Sequence, residues 1–286
     1  MGTSQSSSGS PSGVPLVPPW VPEPVQPGAQ EGDGQEGQDS QSQGQGTLPA
    51  PSAPAPPPPT TAPAGRFGPA RTSLGRFGHS GSPDDLRRGI GHYVRKGLGG
   101  GSSAARRSAG TARTAGSLYG ALSSAAEGRP SAPGSPLDPV LLAGRSADEV
   151  MDAVVEAVRP VDGTLDTEAS RRAIRDALSD LLERFPEADL LSLSEEERLF
   201  AIERYLALDV FHRISLDVGK VVHANAPSAA SALSRLKEIL HYVRETISAK
   251  FRALLKAGES LSASRIAQIG TRALREAFDV FEEYVR

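Results

Sequence analysis

Apolar side chains recur every three or four positions only in the C-terminal half of this chain. Val150, Met151, Val154, Val155 and Val158 mark one face of a helix that Pro160 closes. Ser146-Ala147-Asp148-Glu149 precedes it in the S-x-x-E form of a capping box. A second helix is predicted from about Thr167 to Arg184, with Ala173, Ile174, Ala177, Leu178, Leu181, Leu182 and Phe185 in one stripe and Pro186 after it. Ser194-Glu195-Glu196-Glu197 is another capping box. The helix it opens carries Leu199, Phe200, Ile202, Tyr205, Leu206, Val210, Phe211 and Ile214, and runs to about Ala224 with a bend near Gly219. Leu233, Leu236, Leu240, Val243, Ile247, Phe251 and Leu254 then give a bundle-type seam from about Ser228 to Ala257, stopped by Gly258. A last helix from about Ser262 turns Ile266, Ile269, Leu274, Phe278, Phe281 and Val285 inward. Residues 137–286 therefore read as an all-α domain, a helical bundle of about five helices whose short connections make neighbours antiparallel.

The N-terminal part has no such period. Residues 1–82 are assigned to a disordered tail rich in Pro, Gly and Ser. Over residues 1–64 there are 5 acids and no Lys or Arg, and the only large apolar cluster is Val14 to Val25. Such a composition buries too little surface to offset roughly 1–2 kcal/mol of backbone entropy per ordered residue. Within the tail, Gly65-Arg66-Phe67-Gly68 recurs as Gly75-Arg76-Phe77-Gly78. Arg beside an aromatic ring can stack on bases, or the pair can act as short docking anchors. The second reading is preferred.

Between tail and bundle lies a basic Gly/Ala/Arg-rich segment, 83–128, followed by a proline-marked linker, 129–136. Two short helices are expected in the segment, from Asp84-Asp85 to about Lys96 and from Ser102 or Ser103 to about Ala126, with glycines 97 and 99–101 between them. Gly110, Gly116 and Gly120 each weaken the second by about 1 kcal/mol relative to Ala, so it is expected to order only on docking. The glycine run before a helix suggests a phosphate loop, but G-x-x-x-x-G-K-[ST] is missing, and a hinge is preferred. Deleting Gly91–Ser124 is expected to leave residues 137–286 folded.

Charge sharpens this division. The net charge of −3 conceals −5 over 1–64, +8 over 65–130 and −6 over 131–286. Two readings stay open: the basic block binds an anionic partner, or it docks on its own acidic domain. The candidate contacts are Arg66, Arg76, Arg95, Lys96, Arg106, Arg107 and Arg113.

Chemistry is sparse. There is no cysteine, hence no disulfide, thiolate zinc site or cysteine nucleophile. The five histidines lack metal-ligand spacing, no G-x-S-x-G is present, and no acids converge as a catalytic site requires. The chain is expected to be non-enzymatic, without metal or cofactor, and cytoplasmic, since it has no membrane-length apolar run and no signal peptide. Met1-Gly2-Thr3-Ser4-Gln5-Ser6 fits a myristoylation pattern; the blander outcome is loss of Met1 and a free Gly2.

Four blocks together carry a family resemblance: MGTS at the start, VPLVPPWVP at Val14–Pro22, GHYVRKGLGGGSSAARR…GTARTAGSLYGALSS at Gly91–Ser124, and LDPVLLAGRSADEVMDAVVEAVRPVDG at Leu137–Gly163. They resemble the QatB family, a component of the four-gene Qat anti-phage defence system of bacteria. The resemblance implies an ATPase, a QueC-like enzyme and a TatD-like nuclease as neighbours and partners. It also implies a scaffold or partner subunit without its own reaction. A QueC-like neighbour makes Gly2 the candidate acceptor of a deazaguanine-type group. The alternative function is a nucleic-acid-binding subunit using the basic residues of 65–113.

Overall fold

Ten α-helices and no strand make up the described residues of the computed structural model, which are 65–256 and 259–285. Gly2, the tail up to residue 64 and the Gly258 stop lie outside them.

The five helices expected in the C-terminal half are α6 (Ala147–Val158), α7 (Leu165–Arg184), α8 (Glu195–Asn225), α9 (Ala229–Leu254) and α10 (Ala263–Glu283), preceded by one short turn, α5 (Pro139–Leu142). Both capping boxes form: Ser146 and Ser194 each cap the amide three residues on, and Glu149 and Glu197 reach back to the serine N–H. Thr164, Ser228 and Ser262 cap α7, α9 and α10. Helix α8 continues through Gly219 to Asn225, where Pro227 ends it. The inward stripes follow the 3.6-residue period, with one correction. Leu233, expected on the α9 seam, is 56% exposed. It lies on the first two turns of α9, where only Ala232 is buried, and the stripe joins the core from Ile239 onward.

The basic half adds four helices, α1 (Gly68–Ser80), α2 (Pro83–His92), α3 (Gly101–Arg107) and α4 (Ala109–Ala126). Helix α1 lies inside the stretch assigned to the tail, so that assignment is corrected for residues 68–80. Its physical reason is the Arg-Phe repeat: Phe67 and Phe77 are both buried, with Ala70 and Leu74 between them. The repeat is a pair of docking anchors. Helix α1 packs on α2 and α8, and α4 packs on α8 and α10. The basic segment packs on its own bundle through small and apolar side chains, while Lys96, Arg106, Arg107 and Arg113 stay exposed. One continuous apolar cluster runs from Phe67 to Phe281.

Small residues set these approaches. A Cβ on Gly116 would meet the Ala263 carbonyl oxygen at 2.4 Å, and one on Gly78 would meet that of Val222 at 2.7 Å. The glycine run forms a turn in which Gly99 and Gly100 take φ of 84° and 88°, conformations that favour glycine. The first amide of α3, Gly101 N–H, donates to Glu282 Oε2 at 2.8 Å. A carboxylate of the chain itself thus occupies the place where a phosphate loop would hold its anion.

Candidate functional site

Helix α2 does not end cleanly. It runs into a π-helical turn at Tyr93–Gly97, a local widening often found beside functional sites. The turn places Tyr93 against α8, where its hydroxyl donates to Asp217 Oδ2 at 2.8 Å. Burial, with the Asp217 charge and that hydrogen bond, pushes the phenol well above its ordinary pKa. Phe67 stacks on Tyr93 with centroids 5.3 Å apart, and the Arg66 guanidinium lies 4.6 Å over Phe67. Arg71 donates to the Asp217 carbonyl at 3.2 Å. The chain therefore enters the helical body along α8, beside a groove.

That groove encloses about 660 Å³ between the π-turn, the α3–α4 junction, the start of α7, and α8 and α10. Val210, Leu98 and Phe278 contribute its apolar floor, and Leu165 and Leu216 stand at it largely exposed. Arg66, Arg107, Arg213 and Lys220 bring positive charge, and Asp166 and Asp217 negative. Beneath it Asp209 is fully buried, accepting from Thr111 Oγ1 at 2.5 Å and from Arg213 Nε at 3.0 Å. Arg213 also reaches Asp166 at 3.1 Å. Burial works against the Arg213 charge, but Asp209 and Asp166 outweigh it and raise its pKa above the ordinary guanidinium value. Asp166 and Asp217 thus have partners within the fold, and Asp209 is held through Oδ2, its Oδ1 having no hydrogen-bond partner among the described residues. Arg66, Arg107 and Lys220 have no carboxylate partner among the described residues.

The seven basic residues singled out by sequence do not share one surface. Arg66 and Arg107 line the groove together. Arg76 pairs with Asp85 at 3.7 Å, Arg95 donates to the Val285 carbonyl, and Arg106 donates to Ser103 at 2.8 Å. Lys96 and Arg113 are exposed. Among the described residues no group of three or more His, Asp or Glu side chains could hold a metal ion. His212 instead contacts Asp176 at 3.1 Å.

Sequence reasoning missed Leu165, Tyr93, Arg213, Leu216, Asp217 and Lys220 as a set. A faint signal existed: Leu216 and Lys220 lie four residues apart on α8, off the buried line Ile214, Val218, Val222.

A family model described as Qat anti-phage system associated protein QatB matches residues 99–281, which run from the glycine turn to near the end of α10. The chain belongs to the QatB family. No curated protein and no solved structure matches it. The QatB match includes Arg107, Leu165, Arg213, Leu216, Lys220 and Phe278 of the groove, while Arg66 and Tyr93 precede it. Membership places the chain in the Qat anti-phage system, with the other Qat subunits as its partners. Among the described residues no helix is long and apolar enough to cross a membrane.

Proposed function

We propose that this QatB-family chain is a non-enzymatic partner subunit of the Qat system, working in the cytoplasm and joining the ATPase, the QueC-like enzyme or the TatD-like nuclease through its helical body. The observation that supports this is the groove. It combines exposed apolar side chains with cations that no carboxylate of the described residues neutralises, the mixture found at protein–protein contacts. Affinity purification of the tagged chain expressed with its Qat neighbours tests the reading. Stoichiometric recovery of a neighbour is expected. Recovery of the chain alone, or turnover by the purified chain alone, would sink it. Gly2 as acceptor of a deazaguanine-type group is part of the same proposal, and an unshifted N-terminal peptide after co-expression with the QueC-like enzyme removes that part.

The nucleic-acid reading keeps Arg66, Lys96, Arg107 and Arg113, because Arg76, Arg95 and Arg106 already have partners within the chain. Binding through four phosphates would weaken with salt at a logarithmic slope of about 3 to 4. Salt-independent or absent binding of DNA and RNA leaves only the protein-partner reading.

A further inference from the structure

We propose that the groove between the π-turn and α8 is the docking site for an acidic segment of a protein partner that carries leucine or aromatic anchors. This rests on the partner-subunit reading above and specifies its surface and the chemistry it accepts.

Apolar exposure comes first. Single exposed leucines are ordinary on a protein surface. Here two, Leu165 at 76% and Leu216 at 55%, stand at one depression whose floor is Val210 and Phe278. They reach it from different helices, α7 and α8. An anchor seated between them would remove both from water, a geometry typical of binding hot spots.

Charge then selects the occupant. Arg213 takes up Asp166 and Asp209, and Asp217 accepts from Tyr93. What remains for an incoming chain is Arg66, Arg107 and Lys220, three cations without a carboxylate among the described residues. An acidic segment would find complementary charge at the rim and apolar contact at the centre. A basic segment would be repelled, and an uncharged one would leave the cations unpaired.

The chemistry favours protein over nucleic acid. Single strands are held by rings on which bases stack. The rings at this groove are covered: Tyr93 is buried under Phe67, and Phe278 belongs to the core. The exposed apolar groups are leucines, which offer no stacking face. The floor is also held in advance by the Tyr93–Asp217 and Arg213–Asp209 bonds, so docking orders little of the protein.

Lys220 provides the test. Lys220 lines the groove, and zero-length carbodiimide coupling joins its amine only to a carboxylate in direct contact. The full chain is purified with its Qat neighbours, coupled and mapped by mass spectrometry, alongside L216D and K220E. Both substitutions fall on exposed side chains, and unchanged thermal melting confirms folding. L141D, at an exposed leucine on α5 outside the groove, is the control. The expected result is a cross-link from Lys220 to an acidic segment of another subunit. L216D and K220E should each lower affinity for that subunit at least about tenfold, while L141D binds normally. Complex formation that neither groove variant weakens overturns the groove while leaving the partner-subunit reading intact. So does a Lys220 cross-link only to carboxylates of this same chain. Absence of any complex with the unaltered chain overturns both readings. Binding of a fluorescein-labelled single-stranded oligonucleotide that K220E abolishes and L216D spares assigns the surface to nucleic acid instead.

Discussion

Glu282, in the last turn of α10, accepts the backbone N–H of Gly101, the first residue of α3, at 2.8 Å. A carboxylate at the C-terminal end of its own helix opposes that helix's dipole. Its position is explained by the other helix, whose N-terminus it satisfies. E282A should therefore cost about 1 kcal/mol, the scale of a lost cap. E282Q keeps an acceptor and should lose less. Urea denaturation gives the size, and faster amide exchange at Gly101 would place the effect at α3. Equal stability and exchange in E282A would show the contact to be idle.

Three glycines of α4 should respond differently to alanine, because their surroundings differ. Alanine gains about 1 kcal/mol of helix propensity at each. At Gly116 its Cβ would press on the Ala263 carbonyl at 2.4 Å and on Ala267 at 3.0 Å. Backbone cannot rotate aside, so G116A should be destabilised by about 1–2 kcal/mol net, the repacking strain exceeding the propensity gain. At Gly120 only the Ala263 methyl is near, at 3.2 Å, and the change should be close to neutral. At Gly110 nothing lies within 4 Å, and G110A should be stabilised by up to about 1 kcal/mol. Chemical denaturation of the three variants checks the order, and G116A as stable as G110A would refute a tight α4–α10 crossing.

These contrasts mark what sequence could and could not disclose. Helix starts were legible because Ser146/Glu149 and Ser194/Glu197 are local patterns whose hydrogen bonds close within four residues. The buried stripes were legible because a 3.6-residue period reports one face. Leu233 was misplaced because period gives the face of α9 but not how far its neighbours extend along it. The groove was illegible for a stronger reason. Arg66, Tyr93, Leu165 and Lys220 come from separate helices or their approaches, and only tertiary packing brings them together. Asp209 and Glu203 look like surface acids in sequence. Both are buried, Glu203 gripped by Arg252 through two bonds of 2.6 and 2.7 Å.

The Asp209 network joins the start of α4 to α8, so its members should be coupled. R213M would strand a fully buried carboxylate beside Thr111 and should cost about 3–5 kcal/mol. T111A removes one neutral donor and should cost about 1–3 kcal/mol. A double-mutant cycle between them should show coupling of about 0.5–3 kcal/mol. Strict additivity would mean that Thr111 and Arg213 do not share the carboxylate.

Asp162 supplies a pH-dependent element at the start of α7. Its carboxylate accepts from the Thr167 hydroxyl at 2.6 Å, the Thr164 hydroxyl at 2.8 Å and the Thr164 amide at 3.0 Å. Those bonds hold its pKa down at about 2. The unfolded chain returns it to about 3.9. A depressed folded value means that the stabilisation is complete above the unfolded pKa and is lost as pH falls toward 2. D162A should therefore melt at lower temperature than the unaltered chain near neutral pH, with the gap shrinking through the acid range. A gap independent of pH would assign the effect to something other than this carboxylate.

The final prediction concerns the fragment 137–286, whose own five helices suggest independence. In the whole chain α8 and α10 pack on α1, α3 and α4. Removing the N-terminal helices takes away Leu74, Phe77, Ile90, Leu118 and Leu122, all fully buried. At about 1.5–3 kcal/mol for each buried side chain, the loss is roughly 7–15 kcal/mol, as large as the whole stability of an ordinary domain. It also strips from α8 and α10 the helices that pack on them. The fragment should keep helical circular dichroism, bind a hydrophobic dye and melt without cooperativity, and adding residues 65–128 in trans should restore a sharp transition. A fragment that melts cooperatively within a few degrees of the whole chain would show that the bundle carries a sufficient core of its own, and that the basic helices only decorate it.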